Sequence, residues 1–308
     1  MKFKKIKPLT LFLATRPAFL TASAMPVIVG TAAGFEQSRQ FDAVLFFLAL
    51  FSTMLLHSGA NVANDYFDHI SRNDWLNKNP TPFSGGRRYI QEGILSARTT
   101  LMLSIFCFAA GAVLGLAILF ITQSVFILWL GLVGLLGGFY YTAPPLKLGY
   151  RSLGEIAIAF LFGILPVSGA YYLQTGQFDF AILLPAAIVA ILIFLIIFIN
   201  EFPDKDADAA AGKRTLVVIF GIPKAIWIYR IVLILSYVIA IVLLFSKTMF
   251  FAGLFYLLTV FLAFYVIKVT TEQNLSIPKQ TIPNKLTIIL HAVGCLSLAA
   301  GHIFNILT

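Results

Sequence analysis

Charge is scarce in this chain. Only 11% of its 308 residues are charged, against 59% that are hydrophobic, whereas soluble domains carry roughly 25% charged residues. That shortage excludes an ordinary soluble domain and assigns the length to membrane spans of ~20 apolar residues each. Cysteine is nearly absent too. Cys107 and Cys295 lie inside apolar runs with no partner at metal-ligand or redox spacing, and they read as small buried hydrophobes. Low-complexity segments are missing. No basic patch is interleaved with base-stacking aromatics, so the net charge of +9 reflects topology and anionic lipid contact, with no nucleic-acid partner expected.

What is present is a series of apolar stretches, at about 17–35, 42–64, 98–121, 124–143, 153–173, 180–200, 223–245, 248–268 and 286–306. Each is near the length a helix needs to cross a ~30 Å hydrocarbon core. The expected fold class is an all-α transmembrane bundle forming one domain over residues 1–308. Lys2, Lys4, Lys5 and Lys7 precede a first span interrupted by Pro8, Arg16 and Pro17, which suits an uncleaved span better than a signal peptide. With the N-terminus inside, all of the 22 Lys and Arg residues, Lys279 included, fall on the inner side except Arg39, Arg230 and Lys247. This alternation predicts a multi-pass protein of the cell (inner) membrane with a cytoplasmic N-terminus. The two long connections, about 65–97 and 201–222, are then both cytoplasmic, and function is expected there.

The 13 acids are unevenly spread. Asp65, Asp68 and Asp74 fill one short window; Glu201, Asp204, Asp206 and Asp208 fill another. Grouping acids at the ends of two membrane spans is costly unless cations are present. Asn61, Asn64 or Asp65, and Asp68 recur at helical spacing, as do Asn200, Asp204 and Asp208, so each set shares one helix face. Amide and carboxylate oxygens are hard ligands, and Mg²⁺ takes one or two carboxylates together with water and substrate phosphate. Two such faces opposite each other would hold metal ions bridging a diphosphate. A solvated helix end is the plain alternative for either window alone. Gly85-Gly86-Arg87-Arg88 follows the first window, Gly212-Lys213-Arg214-Thr215 follows the second, and Lys147 and Arg151 lie between. Cations and free backbone amides are what a diphosphate leaving group needs.

These residues resemble a known family. Asn61-x-x-Asn64-Asp65-Tyr66-Phe67-Asp68 and Asn200-x-x-x-Asp204-x-x-x-Asp208-x-x-x-Gly212-Lys213-Arg214-Thr215-Leu216 are similar to the paired motifs of the UbiA superfamily of intramembrane aromatic prenyltransferases. Arg16-Pro17, Tyr140-Tyr141-Thr142-Ala143-x-Pro145, Gly149-Tyr150-Arg151-x-Leu153-Gly154-Glu155 and Tyr171-Tyr172-Leu173-Gln174-Thr175-Gly176 add support. Within the superfamily the chain is most similar to the 1,4-dihydroxy-2-naphthoate polyprenyltransferases of menaquinone biosynthesis. Arg72 and Pro203 stand where those enzymes often carry Gly and Arg, which leaves the acceptor open. The resemblance implies nine transmembrane helices around a central cavity and Mg²⁺-dependent ionisation of a polyprenyl diphosphate. It implies metal and diphosphate positions at Asn64, Asp68, Asp204 and Asp208, with Asp65 and Asp74 as further metal ligands. Asn61, Arg87, Tyr141, Lys147, Arg151, Asn200 and Lys213 are the candidates for substrate contact. Other acceptors (4-hydroxybenzoate, homogentisate or a glycerol-phosphate lipid) remain as alternatives. A cation transporter would more often place its acids at mid-membrane depth, and the Asp-Gly-x-x-Ala-Arg signature of CDP-alcohol phosphotransferases is absent. His57 and His69 flank the first motif; His291 and His302 are expected to hydrogen-bond between helices.

Overall fold

The computed structural model describes residues 7–78, 80–276 and 281–308; Lys2, Lys4, Lys5 and Lys279 lie outside them. Among the described residues the chain is all helical, with two isolated β-bridges and no strand. In order come α1 (Pro8–Ala14), α2 (Thr21–Ser38), α3 (Ala43–Ile70), α4 (Asn73–Leu76), α5 (Ala97–Thr122) and α6 (Val125–Tyr140). A π-helical turn, Phe160–Ile164, joins α7 (Gly154–Ala159) to α8 (Leu165–Thr175). Then follow α9 (Leu183–Glu201), α10 (Lys205–Ala210), α11 (Leu216–Leu243), α12 (Phe250–Leu257), α13 (Val260–Val269), α14 (Glu272–Ser276) and α15 (Ile282–Leu307).

Local chemistry sets the boundaries. The side chains of Asp42, Ser96, Ser124 and Thr215 accept the N–H of Leu45, Thr99, Ile127 and Val218, capping α3, α5, α6 and α11, which satisfies donors a helix start leaves free. Gly176 ends α8 with φ +70°, a conformation that favours glycine. The helix α11 breaks at Gly221, φ +72° and ψ 163°, two residues before Pro223. The sequence places the start of that span at about 223; helical residues begin earlier, at Leu216, because Thr215 caps a short apolar turn before the break.

Packing is centred on α9. From Leu183 to Ile199 it has no polar residue, and Ile188, Val189, Leu192, Leu195, Phe198 and Ile199 are fully enclosed. A helix apolar on all sides is stable only when enclosed by other helices or by lipid; here α2, α7, α8, α11 and α15 surround it. The outer helices turn large apolar residues outward, such as Phe120 at 80% exposure and Phe261 at 79%, as a lipid-facing surface requires. Small residues set the spacing between helices: a Cβ at Gly30 of α2 would lie 2.1 Å from the Val167 carbonyl oxygen of α8.

The chain is therefore a multi-pass membrane protein. Among the described residues seven helices are long and apolar enough to span a bilayer, and α12 and α13, bent by 41°, form an eighth candidate. The remaining apolar stretch, at about 124–143, corresponds to α6. Its 16 residues rise about 24 Å, short of a ~30 Å core. His302 accepts or donates across α2 and α15, 2.6 Å from Glu36, which is the interhelical role expected of it. His291 does not play that role, for neither of its ring nitrogens has a partner.

Candidate active site

Both acid windows sit at the same end of the bundle. The helix α3 runs on to Ile70, six residues beyond the apolar stretch that the sequence ends at about 64. Asn61, Asn64, Asp65 and Asp68 are thus helical side chains, not loop residues. The second window starts at the last turn of α9 and continues into α10. A cavity of about 160 Å³ separates the two, and Asn61, Asn64, Asp68, Asp74, Asn200, Asp204 and Asp208 all border it, with Tyr141 and Lys213.

The second window is held by the connection that follows the first. Asn73 Nδ2 donates to Asp208 Oδ1 at 3.0 Å, and Asn77 Nδ2 donates to Asp204 Oδ1 at 2.7 Å. The Gly85 N–H donates to Asp204 Oδ2 at 3.0 Å. Gly85 and Gly86 have φ +73° and +69°, and a Cβ on Gly86 would come 2.8 Å from Asp65 Oδ1, so this turn needs glycine for both its backbone and its space. Within the first window Asn64 Nδ2 donates to Asp68 Oδ2 at 3.0 Å, and the Tyr150 hydroxyl donates to Asp68 Oδ1 at 2.6 Å. Gln91 Nε2 donates to Asp74 Oδ2 at 3.1 Å. In the second, Lys213 Nζ lies 3.5 Å from Asp208 Oδ1.

The predicted residues do not all converge. Asp65 is buried and paired with Arg16, and it also accepts the Arg87 backbone N–H; it does not border the cavity. The Arg87 side chain stands outside the wall as well. Lys147 lies 5.5 Å above the Tyr150 ring. Arg151 is exposed and donates to the Pro145 carbonyl at 3.0 Å. Asn61 Nδ2 donates to the Thr15 carbonyl at 3.2 Å, and Asn200 Oδ1 accepts from Asn284 of α15 at 2.8 Å. Asp206 points outward beside Lys205.

The cavity also gathers residues that spacing arguments pass over. Arg16, just before the first span, pairs with Asp65 and donates to Asn64 Oδ1 at 3.4 Å. Its one sequence signal is a lone cation at a span boundary, next to Pro17. Asn73, Ser84 and Glu201 border the cavity too. His57 lies in its wall, hydrogen-bonded to Ser23 at 3.0 Å, whereas His69 accepts from Trp75 at 3.2 Å outside it.

Electrostatically the site holds more carboxylate than its cations balance. Burial, then the charges of Asp68 and Asp65, lift the Asp74 carboxyl to about 8. Burial and Asp208 lift Asp204 to about 7. Asp208 is raised as well, by burial first, with Lys213 opposing. Burial works against the Lys213 charge, but Asp208 and Asp68 outweigh it and hold its pKa well above the ordinary lysine value. Among the described residues no three Asp, Glu, His or Cys side chains close on one point as a protein-only metal cage would. Mg²⁺ does not need such a cage. The donor set is oxygen throughout, and Asp208 Oδ2 is buried without a partner. A hard cation would supply both the missing partner and the missing positive charge.

A second cavity, of about 370 Å³, adjoins the first; the two share Gly138 and Phe162 as wall residues. It lies among α2, α3, α5, α6 and α8, and its wall is apolar apart from Ser52 and Thr53. Gly131 and Gly134 of α6 border it, and a Cβ built on either meets no atom within 4 Å.

Residues 23–292 match the model of the UbiA prenyltransferase family. The chain is 33% identical over 215 residues to the 1,4-dihydroxy-2-naphthoate octaprenyltransferase of Haemophilus influenzae, covering 68% of each chain. It is 31% identical over 211 residues to the enzyme of that name from Escherichia coli, covering 67% of each. Among solved structures, a UbiA homolog from Archaeoglobus fulgidus bound to GPP and Mg²⁺ superposes with a TM-score of 0.68 at 16% identity, over 97% of this chain and 99% of that one.

Proposed function

The chain belongs to the UbiA prenyltransferase family and is a prenyltransferase; we propose that it transfers a polyprenyl group from an allylic diphosphate to 1,4-dihydroxy-2-naphthoate, with Mg²⁺, in menaquinone biosynthesis. The observation that carries the proposal is the meeting of Asn64 and Asp68 with Asp204 and Asp208 around one cavity, beside Lys213. The naphthoate acceptor rests on the naphthoate enzymes among the relatives. We place the protein in the cell membrane with its N-terminus and this site on the cytoplasmic side, from the distribution of Lys and Arg.

Asn64, Asp68, Asp204 and Asp208 would hold Mg²⁺, with Asp74 close by. When bound, the metal would offset charge on the departing diphosphate and so favour C–O cleavage. The chain's own groups do the rest. Lys213 donates to diphosphate oxygens, and the Gly85 N–H holds Asp204 in place beside them. Arg16 holds Asp65 neutralised and the Asn64 carbonyl oriented. The Tyr141 ring offers an electron-rich face to the allylic cation, and Phe162, Ile193 and Ile197, which line the same cavity, exclude water that would trap it. The isoprenoid tail lies in the adjoining apolar cavity. A cation-transport reading is disfavoured because that cavity carries no acid through the bundle.

The test is direct. Purified protein is incubated with Mg²⁺, a labelled polyprenyl diphosphate and, in turn, dihydroxynaphthoate, 4-hydroxybenzoate, homogentisate and a glycerol-phosphate lipid. A lipid-soluble product with dihydroxynaphthoate is expected. A product with only one of the others reassigns the acceptor, and no product with any of them refutes the aromatic-transfer reading.

A further inference from the structure

One side chain in the cavity wall is left without a task by the reaction as described. His57 of α3 is 9% exposed and borders the reaction cavity. It shares with Asn61, Asn64 and Asp68 the spacing of three and four residues that keeps to one helix face, and all four line that cavity. At ~1.5 Å per residue His57 stands about 10.5 Å along α3 from Asn64, two helical turns away from the metal positions. The Phe162 ring lies 4.6 Å from it, centre to centre.

Hydrogen bonding fixes which nitrogen of His57 carries the proton. Ser23 Oγ donates its one proton to the Leu20 carbonyl at 3.0 Å. Toward His57 Nδ1, also 3.0 Å away, the hydroxyl can then only accept, so Nδ1 holds the N–H and Nε2 the lone pair. Nε2 has no partner among the described residues, yet, unlike the nitrogens of His291, it is not sealed within the protein. A lone pair without an N–H selects its ligand. Diphosphate oxygens and carboxylates are themselves acceptors and gain nothing from it. A hydroxyl on an aromatic ring donates to it, and Phe162, Ile193 and Ile197, in the same cavity, offer the apolar wall that such a ring needs.

Resting on the aromatic-transfer reading above, we propose that His57 Nε2 receives the hydroxyl of the aromatic acceptor and takes its proton as the new carbon–carbon bond forms, with Ser23 as its positioning partner. The donor's C1–O bond breaks with its electron pair going to the diphosphate. A ring carbon beside the acceptor hydroxyl supplies a π pair to C1. The O–H pair becomes the second bond of a C=O group, and the proton passes to Nε2. The imidazolium keeps its Nδ1 bond to Ser23 and forms as the diphosphate departs, whose negative charge supports it. Arg16, in the same wall, is already paired with Asp65. The attacked carbon then loses a carboxylate as CO₂, or hydrogen as a proton to the diphosphate. The pair left behind restores the ring, and Nε2 returns its proton to the oxygen. His57 ends the cycle neutral, as it began.

The experiment uses the full chain in detergent with Mg²⁺, farnesyl diphosphate and the aromatic acceptor that the wild type turns over. His57→Asn puts an amide N–H where Nδ1–H was and removes Nε2. It is expected to bind the donor within about threefold of wild type while transfer falls about 10²–10⁴-fold, the usual worth of a positioned base. His57→Gln, nearer in length, should show the same loss and takes its place if the shorter side chain fails to fold. A ring-fluorinated acceptor, whose hydroxyl is more acidic, should narrow that deficit at least about tenfold; a merely structural defect would not respond. Ser23→Ala frees the tautomer but leaves Nε2 in place, and should lower transfer only about 2- to 10-fold. Wild-type transfer by either His57 variant, loss of donor binding along with transfer, an equal deficit on the acidic acceptor, or a Ser23→Ala deficit as large as that of His57→Asn overturns the assignment. A wild type that binds the donor but turns over no aromatic acceptor overturns instead the reading on which it rests.

Discussion

Filling the apolar cavity from its own wall should shorten the prenyl chain that the enzyme accepts, in a register set by α6. The cavities meet at Gly138, and Gly134 and Gly131 lie farther along the same helix. At ~1.5 Å per residue they stand about 6 Å and 10.5 Å beyond it. One isoprene unit advances about 5 Å along its four-bond run, at ~1.5 Å per bond. If the first unit fills the reaction chamber, Gly134→Leu obstructs the third and Gly131→Leu the fourth. Neither substitution should harm folding, since a Cβ at either position meets nothing within 4 Å and leucine favours helix over glycine by roughly 1 kcal/mol. The penalty is not that of withdrawing apolar surface into water, because an excluded tail returns to lipid, which is equally apolar. What remains is overpacking, about 1–3 kcal/mol, or roughly a 5- to 150-fold fall in kcat/KM. The assay compares dimethylallyl, geranyl, farnesyl and longer diphosphates in detergent. Gly134→Leu should spare dimethylallyl and geranyl and impair farnesyl and beyond; Gly131→Leu should also spare farnesyl and impair longer donors. Equal losses at every length, or none at any, would refute the placement of the tail.

Three further outcomes are expected. Asp68→Ala and Asp204→Ala should each lower prenyl transfer by at least about 10²-fold, and wild-type turnover in both would remove the metal role given to them. Without Mg²⁺, thermal stability in detergent should fall as pH rises from about 4 to 8. Asp204 and Asp74, raised to about 7 and about 8, bind more protons folded than unfolded in that window, so the folded state loses ground as they ionise. Mg²⁺ should release protons on binding and stabilise the protein more at pH 8 than at pH 6; a rising or flat apo profile contradicts the burial assigned to these carboxyls. Gly163→Leu should destabilise by about 1–3 kcal/mol or more, because its Cβ would come 2.4 Å from Ala190 Cα, and an unchanged unfolding midpoint would mean that α9 moves freely against the π-helical turn.

The transmembrane order was readable because lipid imposes a simple rule. Apolar runs near 20 residues and alternating Lys and Arg mark the spans to within a few residues in most cases. The acid windows were readable because few acids occur elsewhere. The three- and four-residue spacing of Asn61, Asn64 and Asp68 also marked the helical continuation of α3 past the apolar slab, and only its run on to Ile70 was less visible. The choice among basic residues was not legible at all. Lys213 enters the cavity while Lys147 and Arg151 do not, although all three neighbour the motifs; the reach of a long side chain depends on backbone direction, such as the left-handed φ of +46° at Lys147.

One hydrogen bond at the far end of the bundle settles a matter of parity. Arg39, just after α2, donates to the Ile306 carbonyl at 2.9 Å, whereas Arg16, just before α2, reaches into the cavity. The last helix therefore finishes at the end opposite to the one where the first begins. A path that enters by one face and leaves by the other makes an odd number of crossings. An even count such as eight does not fit that path, and α6, which brings the chain from the far end of α5 back to Tyr141 at the cavity, cannot be left out of it. Whichever way the protein is inserted, reporters fused to its two termini must light up on opposite sides of the membrane, and the one at the C-terminus cannot obstruct the site.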